Sequence, residues 1–210
     1  MPCVDFPLYL ITDRHQTGGR PLVPLLRDAL DAGVRAVQVR ERDLATRPLL
    51  DLAEQILPLA RNRRARMLIN DRVDLAMALD ADGVHLRADS LPVSVARRLL
   101  GQDRLIGVSA HSVDDVLRAE CDGADFTVLG PIYETPSKRA YGPPIGLGPI
   151  EEAARRCRIP VFAIGGITAA RVGEVRRAGA FGVAVISSIL SAERVEAAVC
   201  GLLEALAVPT

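Results

Sequence analysis

The hydrophobic positions of the chain alternate between two periods. Short apolar runs rich in β-branched residues are separated by longer stretches in which Ala, Leu and Arg recur at helical spacing. The runs predict eight strands, at Leu8–Thr12, Ala36–Arg40, Met67–Asn70, Gly83–Leu86, Leu105–Ser109, Phe126–Gly130, Pro160–Ile164 and Gly182–Ile186. The longer stretches predict a helix after each strand, near Leu22–Ala32, Thr46–Ala60, Arg72–Leu79, Leu91–Leu100, Val113–Asp122, Pro149–Cys157, Ala169–Ala178 and Ala192–Leu206. Eight such units indicate a (β/α)8 TIM barrel with a parallel sheet covered on both faces.

Local signals support the predicted helices. Ser112 and Asp115 have the spacing of a capping box, and Thr168 is expected to cap the seventh helix. Gly33 and Gly179 follow predicted helices, where a left-handed residue is favoured. The main alternative fold, a doubly wound open sheet, is disfavoured because no Gly-x-Gly-x-x-Gly motif follows the first strand.

Composition narrows the class of protein. The chain has 210 residues, 26 basic and 26 acidic side chains and 49% hydrophobic residues, which excludes a disordered chain and gives no sign of a nucleic-acid partner. No apolar run approaches the roughly 18 residues of a membrane span, and the N-terminus lacks the pattern of a signal peptide. We therefore expect one barrel domain over residues 1–210 in the cytoplasm, and a homodimer is compatible with the sequence. Reduced thiols are expected, because the cysteines lie far apart at Cys3, Cys121, Cys157 and Cys200.

A barrel carries its chemistry at the C-terminal ends of its strands, and polar residues collect there in this sequence. Strand alternation places Gln38, Arg40 and Arg42 on one side of the second strand, which suits an anionic substrate. The alternative is that Arg40 pairs with Glu41 or Asp43 and only orders the barrel mouth.

The next three strands add further candidates. Asn70 and Asp71 end the third strand, where Asp71 is either a metal or amine ligand or a helix cap. His85 lies between apolar residues, which favours a packed, hydrogen-bonded histidine. Ser109 and His111 follow the fifth strand. Histidine changes charge near neutral pH, so His111 is either an acid–base group or a residue of the helix start.

Two later segments suggest a phosphate ligand. The irregular connection 131–148 is interpreted as a mobile active-site loop, in which Thr135, Ser137 and Lys138 form either a phosphate clamp or a solvated basic surface. Gly165-Gly166 after the seventh strand and Ser187-Ser188 after the eighth lie where barrels bind phosphate at a helix N-terminus.

Seven motifs together resemble the thiamine phosphate synthase and thiazole tautomerase (TenI-like) superfamily over nearly the whole chain. They are VQVRERDL from Val37, LINDRVDLA from Leu68, ADGVHL from Ala81, IGVSAHS from Ile106, GPIYETPSK from Gly130, AIGGIT from Ala163 and GVAVISSI from Gly182. The resemblance implies a (β/α)8 barrel, a role in thiamine biosynthesis and a small-molecule ligand that carries the thiazole phosphate. Neither a nucleic acid nor a membrane is expected as a partner.

The resemblance leaves two activities open. The synthase joins an aminopyrimidine diphosphate to the thiazole phosphate with the help of Mg²⁺, and its pattern has a lysine where this chain has Arg42. It also has two aspartates for magnesium. Asp71 matches the first, Ser90 stands at the second, and Asp89 lies one residue early. Loss of a carboxylate ligand weakens a site for a hard cation.

The tautomerase is therefore the first expectation from the resemblance. It needs no cofactor, and its pattern commonly has Arg-Glu-Arg on the second strand and a small residue in place of the second aspartate. Under this interpretation His111 is the acid–base group that aromatises the thiazole carboxylate phosphate, while Gln38 and Arg40 face the carboxylate or ring. The phosphate would be held by Gly165, Gly166, Ile186 and Ser187 and covered by Thr135, Ser137 and Lys138. The synthase is the alternative, and a non-catalytic binder of thiazole phosphate is a third hypothesis.

Overall fold

A computed structural model describes residues 3–135 and 143–208 of the chain. Eight parallel strands form a closed barrel in chain order, and the first strand pairs with the last. The strands are β1 (Leu8–Ile11), β2 (Ala36–Val39), β3 (Arg66–Asn70), β4 (Gly83–Leu86), β5 (Leu105–Ala110), β6 (Phe126–Leu129), β7 (Val161–Ile164) and β8 (Gly182–Val185). The predicted barrel is confirmed, and the open sheet is excluded.

Helices surround the barrel between successive strands. They are α1 (Leu22–Asp31), α2 (Thr46–Asn62), α3 (Val73–Ala78), α4 (Val93–Leu100), α5 (Val113–Cys121), α6 (Gly148–Arg156), α7 (Ala169–Arg177), α8 (Ser187–Leu190) and α9 (Val195–Ala207). Two short elements were not predicted, the 3-10 helix Arg14–Gln16 and the helix α8. Three or four residues make about one helical turn, which is too short to produce a recognisable hydrophobic period.

The helix ends agree with the sequence signals except at one position. Ser112 and Asp115 form the predicted capping box at the start of α5. Gly33 and Gly179 follow α1 and α7 with φ values of 118° and 98°. The expectation for Thr168 was wrong, because its extended backbone starts α7 while its hydroxyl makes no capping hydrogen bond.

The core has two layers that follow the strand alternation. Along β2, Val37 and Val39 pack outward against the helices, whereas Gln38 lies among the inward-facing residues. The interior is filled mainly by four of the seven aromatic residues, whose ring centroids lie 5.5 to 6.1 Å apart. These are Phe6, Tyr9, Phe126 and Phe162. Their bulk closes the barrel beneath the C-terminal strand ends, where a cavity remains.

All four cysteines are free thiols, as expected, and three of them are exposed. In the part of the chain that the structure describes, no helix combines the length and the apolar character needed to cross a membrane.

Candidate active site

A cavity of about 760 Å³ opens at the C-terminal ends of the strands. Seven of the residues predicted for the site line it, namely Gln38, Arg40, Arg42, Asn70, Ser109, His111 and Ile186. Strand alternation thus brings the amide and both guanidinium groups from the β2 segment to one cavity. Glu41 and Asp43, the alternative partners considered for Arg40, both bind Arg14.

Four polar side chains form a hydrogen-bonded chain on the cavity floor, and we call them the floor chain. Gln38 Nε2 donates to Tyr9 Oη at 3.1 Å, and Tyr9 Oη lies 3.5 Å from His85 Nδ1. His85 Nε2 lies 3.0 Å from Ser109 Oγ. The first three residues are buried, so the sequence-based interpretation of His85 as a packed and hydrogen-bonded histidine agrees with the structure.

Burial sets the proton positions along the floor chain. Desolvation, with a smaller contribution from the charge of Arg40, lowers the pKa of His85 to about 3, so its ring is neutral at physiological pH. Desolvation also raises the pKa of Tyr9, which keeps its hydroxyl protonated. Because the Tyr9 hydroxyl oxygen accepts a hydrogen bond from Gln38, the Tyr9 proton is directed to His85 Nδ1. His85 Nε2 then donates to Ser109, whose own proton is left to point into the cavity.

His111 lies on the cavity wall just beyond β5. Its Nδ1 lies 2.8 Å from the carbonyl oxygen of Gly130, and its backbone N–H donates to Asp115 at 3.1 Å. A carbonyl oxygen only accepts, so Nδ1 carries a proton. In the neutral ring, Nε2 therefore holds the lone pair that a general base requires.

A cluster of charges borders the cavity beyond β2, β3 and β4, and we call Arg42, Asp71, Arg87 and Asp89 the charged rim. Arg87 makes two hydrogen bonds to Asp89, at 2.9 and 2.5 Å, and its Nη1 lies 3.9 Å from Asp71 Oδ2. The other carboxylate oxygen of Asp71 accepts a hydrogen bond from the Ser90 hydroxyl. Asp71 is therefore held by Ser90, and it does not cap α3, whose start has no side-chain capping bond.

The charged rim does not fit a two-carboxylate magnesium site. Mg²⁺ demands oxygen ligands at about 2.0–2.1 Å in near-octahedral geometry. Here both oxygens of Asp89 bind Arg87, and the two oxygens of Asp71 face Ser90 and Arg87. Across residues 3–135 and 143–208, no three His, Cys, Asp or Glu side chains come together as a metal-binding group.

On the opposite side of the cavity, two backbone segments pack closely against each other. Gly165 and Gly166 follow β7 with φ values of 100° and 64°. The backbone N–H of Tyr133 donates to the Gly165 carbonyl at 3.1 Å, and a Cβ on Gly165 would lie 2.7 Å from Pro131. These contacts require glycine and hold the segment 131–135, the start of the predicted mobile loop, against the β7 turn.

A second anchor holds this segment to α7. The Tyr133 hydroxyl donates to Glu174 at 2.7 Å, and the Arg171 guanidinium lies 4.4 Å above the Tyr133 ring. Arg171 also donates to the Gly166 carbonyl at 2.7 Å. The first residues of the predicted loop are therefore fixed on the barrel.

Five other predicted residues in the described part of the chain do not line the cavity, and Asp71 of the charged rim is one of them. Thr135, Gly165, Gly166 and Ser187 lie outside its wall, although Ile164 and Ile186, which adjoin the last three, are part of it. Ser137 and Lys138 lie outside the described residues.

Tyr9 and Arg87 were not among the predicted site residues. Arg87 stands two residues after His85, and the alternation rule applied to the second strand would have placed both on one side of β4. Tyr9 alternates with Ile11 in the same way along β1.

A parallel eight-stranded barrel with arginines in its cavity and glycine turns at its mouth is typical of enzymes that act on phosphorylated small molecules. Sequence comparison makes the class specific. The profile of the family described as thiamine monophosphate synthase (TMP-TENI) matches residues 8–189, and the chain belongs to this family.

The relatives carry the same description. The chain is 53% identical over 191 residues to a putative thiamine-phosphate synthase of Geobacter sulfurreducens, covering 91% of this chain and 90% of the relative. It is 45% identical over 200 residues to a thiamine-phosphate synthase of Roseiflexus castenholzii, covering 95% and 88%. Among solved structures, a thiamine phosphate pyrophosphorylase of Pyrococcus furiosus is 35% identical with a TM-score of 0.87, covering 96% and 95%.

These findings identify an enzyme of thiamine biosynthesis and correct the order of the two expected activities. The relatives are named as synthases, so the comparisons favour the transferase alternative over the isomerase that the sequence analysis placed first.

Proposed function

We propose that this protein is a thiamine-phosphate synthase, a transferase that joins an aminopyrimidine diphosphate to a thiazole phosphate and releases pyrophosphate. The observation that carries the proposal is the division of one cavity into a neutral, hydrogen-bonding floor and a charged mouth, where three arginines lie among four carboxylates. An aminopyrimidine diphosphate has the same division, with a neutral heterocycle at one end and a polyanion at the other.

The floor chain offers the groups that an aminopyrimidine edge needs. The Ser109 hydroxyl, which accepts from His85, has its proton left to donate to a ring nitrogen. The Gln38 amide, whose NH₂ group donates to Tyr9, has a carbonyl oxygen that can accept from the exocyclic amine. A site built in this way rejects analogues that lack the matching groups, because its buried polar atoms would be left unpaired.

The mouth supplies positive charge to the diphosphate. Arg40 and Arg42 line the same cavity as Ser109 and Gln38. In the reaction, the thiazole nitrogen forms a C–N bond with the methylene carbon of the pyrimidine, and the C–O bond breaks with its electron pair leaving on the pyrophosphate. The two guanidinium groups stabilise the negative charge that develops on the leaving oxygen. His85 is neutral at physiological pH, and no step of this reaction requires its imidazolium form as an acid.

The thiazole phosphate is assigned to the β7–β8 side of the cavity. Gly165 and Gly166 adjoin Ile164 of the cavity wall and would offer a ligand only backbone groups, Ile186 lies on the wall, and Ser187 begins α8. Thr135, on the anchored segment, is proposed to help cover this phosphate, together with Ser137 and Lys138.

The isomerase is the second candidate, and the geometry of His111 favours it. Its Nδ1 is held by the Gly130 carbonyl, which orients Nε2 as an acceptor for a proton. The isomerase would use this nitrogen to move a proton on a dihydrothiazole carboxylate phosphate without a pyrophosphate product.

The experiment that tests the proposal supplies the chain with synthetic aminopyrimidine diphosphate and thiazole phosphate and measures pyrophosphate and thiamine phosphate. We expect both products in equal amounts. Ser109→Ala should raise the KM for the pyrimidine substrate roughly tenfold to a hundredfold, because one buried hydrogen bond is lost. Ser94→Ala, on the exposed face of α4, is the matched control and should leave both KM values unchanged.

Two other results would contradict the proposal, and each would establish a different function. Turnover of the dihydrothiazole that is lost in His111→Ala, without pyrophosphate release in the first assay, would establish the isomerase. Tight binding of thiazole phosphate with neither activity would establish a non-catalytic binder.

A further inference from the structure

A cation of the chain itself lies between the carboxylates of the charged rim. Arg87 follows β4, and Asp71 follows β3. The contact between the Arg87 guanidinium and Asp71 therefore links the C-terminal ends of two neighbouring strands. The guanidinium makes a paired contact with Asp89 through Nε and Nη2 and lies 3.9 Å from Asp71 through Nη1. Two carboxylates around one cation is the arrangement in which a divalent metal is often found, but here the cation is a side chain.

The two carboxylates differ in how firmly they are held. Asp71 has a left-handed backbone, with φ of 63°, and its backbone N–H donates to the His85 carbonyl at 2.9 Å. Its side chain also accepts from Ser90. By contrast, the side chain of Asp89 is 72% exposed and can exchange Arg87 for water at little cost. Of these two carboxylates, Asp71 is a fixed partner of Arg87, whereas a ligand can replace Asp89.

The formal charges of the four rim residues sum to zero without a metal ion. Asp71 and Asp89 contribute two negative charges, and Arg87 and Arg42 contribute two positive charges. The hydrogen bonds from Arg87 lower the pKa of Asp89, and the charge of Arg42 lowers it further, so these three groups are electrostatically coupled. When Asp89 turns toward solvent, the rim presents a net positive charge to the cavity that Arg87, Asp89 and Arg42 line.

We propose that Arg87 binds the diphosphate of the pyrimidine substrate, supplying from the protein part of the positive charge that a divalent cation would otherwise provide. The proposal rests on the synthase function. The planar fork of a guanidinium matches two phosphate oxygens as well as it matches a carboxylate. On binding, the diphosphate replaces Asp89 on Arg87, while Asp71, held by Ser90, keeps the guanidinium oriented.

A purely structural role predicts something different. An exposed ion pair such as Arg87–Asp89 contributes little to stability, so its loss would leave both folding and ligand affinity nearly unchanged. Ligand affinity therefore separates the two roles.

The experiment measures the binding of inorganic pyrophosphate by isothermal titration calorimetry, once in EDTA and once in excess Mg²⁺. The wild-type protein should bind pyrophosphate in EDTA. Arg87→Met should weaken this binding roughly tenfold to a hundredfold, and Arg87→Lys, which keeps the charge but loses the fork, should weaken it less. Arg47→Met is the matched control, because Arg47 also pairs with a carboxylate but lies on α2 with 83% of its side chain exposed. It should bind as the wild type does.

Ser90→Asp tests the proposed role of Arg87 by adding a carboxylate to the rim, whereas Arg87→Met removes a cation. A third carboxylate at the rim should weaken pyrophosphate binding in EDTA and make binding depend on Mg²⁺, because it adds negative charge and a metal ligand.

Two results would overturn the proposal in distinguishable ways. If pyrophosphate binds the wild type only with Mg²⁺ and equally well in Arg87→Met, the role of Arg87 is refuted while the synthase function stands. If pyrophosphate binds in neither buffer and the two substrates give no pyrophosphate, both proposals fail.

Discussion

The floor chain and the charged rim belong to one cavity but handle polar groups in opposite ways. The floor chain lies inside the barrel mouth, where burial keeps His85 and Tyr9 in their neutral forms. The rim lies at the edge, where solvent keeps Asp89 and Arg87 ionised and paired. Strand alternation delivers both sets of side chains, and depth in the barrel, together with residue type, decides whether a group acts by hydrogen bonding or by charge.

Floor and rim residues are expected to differ in how well they tolerate substitution. A floor residue is constrained by its neighbours on every side, so replacing it disturbs packing and hydrogen bonding together. A rim residue can be exchanged with little effect on folding, because exposed ion pairs contribute little to stability. New specificity for a charged substrate is therefore expected to arise at the rim.

The largest expected effect is the response of the floor chain to acid. His85 must be neutral in the folded protein, with a pKa of about 3 instead of 6.5, so the unfolded chain binds the proton more readily. Stability should be fully present above pH 6.5 and fall by a few kcal/mol as the pH is lowered from 6.5 to 3. Urea unfolding across this range measures it, and His85→Gln should flatten the dependence.

His15→Gln is the control for this experiment. His15 pairs with Asp43 at 2.9 Å, but 66% of its side chain is exposed. Its replacement should leave the pH dependence of stability close to that of the wild type. An equal flattening in both variants would show that depth does not distinguish the two histidines.

The second effect is on the packing of the floor. Gly107 on β5 pairs in register with His85, and a Cβ at Gly107 would lie 2.7 Å from His85 Nδ1 and also clash with the Phe126 ring. Gly107→Ala should lower the free energy of unfolding by about 1–3 kcal/mol and raise the KM for the pyrimidine substrate. Gly148→Ala, where a Cβ would meet nothing within 4 Å, should do neither. Denaturant unfolding and steady-state kinetics measure both quantities.

The third effect is electrostatic and should distinguish rim from floor by its salt dependence. Arg42→Gln should lower kcat/KM for the pyrimidine diphosphate about tenfold at low ionic strength, with a smaller ratio in 0.5 M salt, because salt screens exposed charges. The ratio for Ser109→Ala should stay constant, since it reflects a neutral hydrogen bond. Kinetics at several salt concentrations provide the measurement, and parallel curves for the two variants would contradict the distinction.

The smallest effect is expected at the outer edge of the cavity. Asp43 binds Arg14 and His15, and the hydrogen bonds from Arg14, followed by that from His15, lower its pKa. Asp43→Asn should nonetheless leave thermal stability unchanged within error, because these contacts are in solvent. A clear drop in Tm would show that the exposed ion pairs contribute more than we expect.

Much of the fold could be predicted because it depends on local patterns. Periodicity gave eight strand–helix units, and alternation along β2 brought Gln38, Arg40 and Arg42 to one cavity. The same rule accounts for the positions of Tyr9 on β1 and Arg87 after β4, which were not predicted as site residues. The tautomerase expectation depended on Ser90 in place of a metal-binding aspartate, and the comparisons favour the synthase alternative.

The sequence by itself determined the barrel, the end of the barrel that carries the site and seven of the residues that line it, because strand and helix periods are set by neighbouring residues. Only the tertiary structure decided which distant residues meet. Tyr9 and His85 are 76 positions apart, and the bridge from Arg87 to Asp71 depends on a left-handed residue after β3. The charge state of each group was also a tertiary outcome, because it is set by depth from solvent, and no single segment of the chain contains that information.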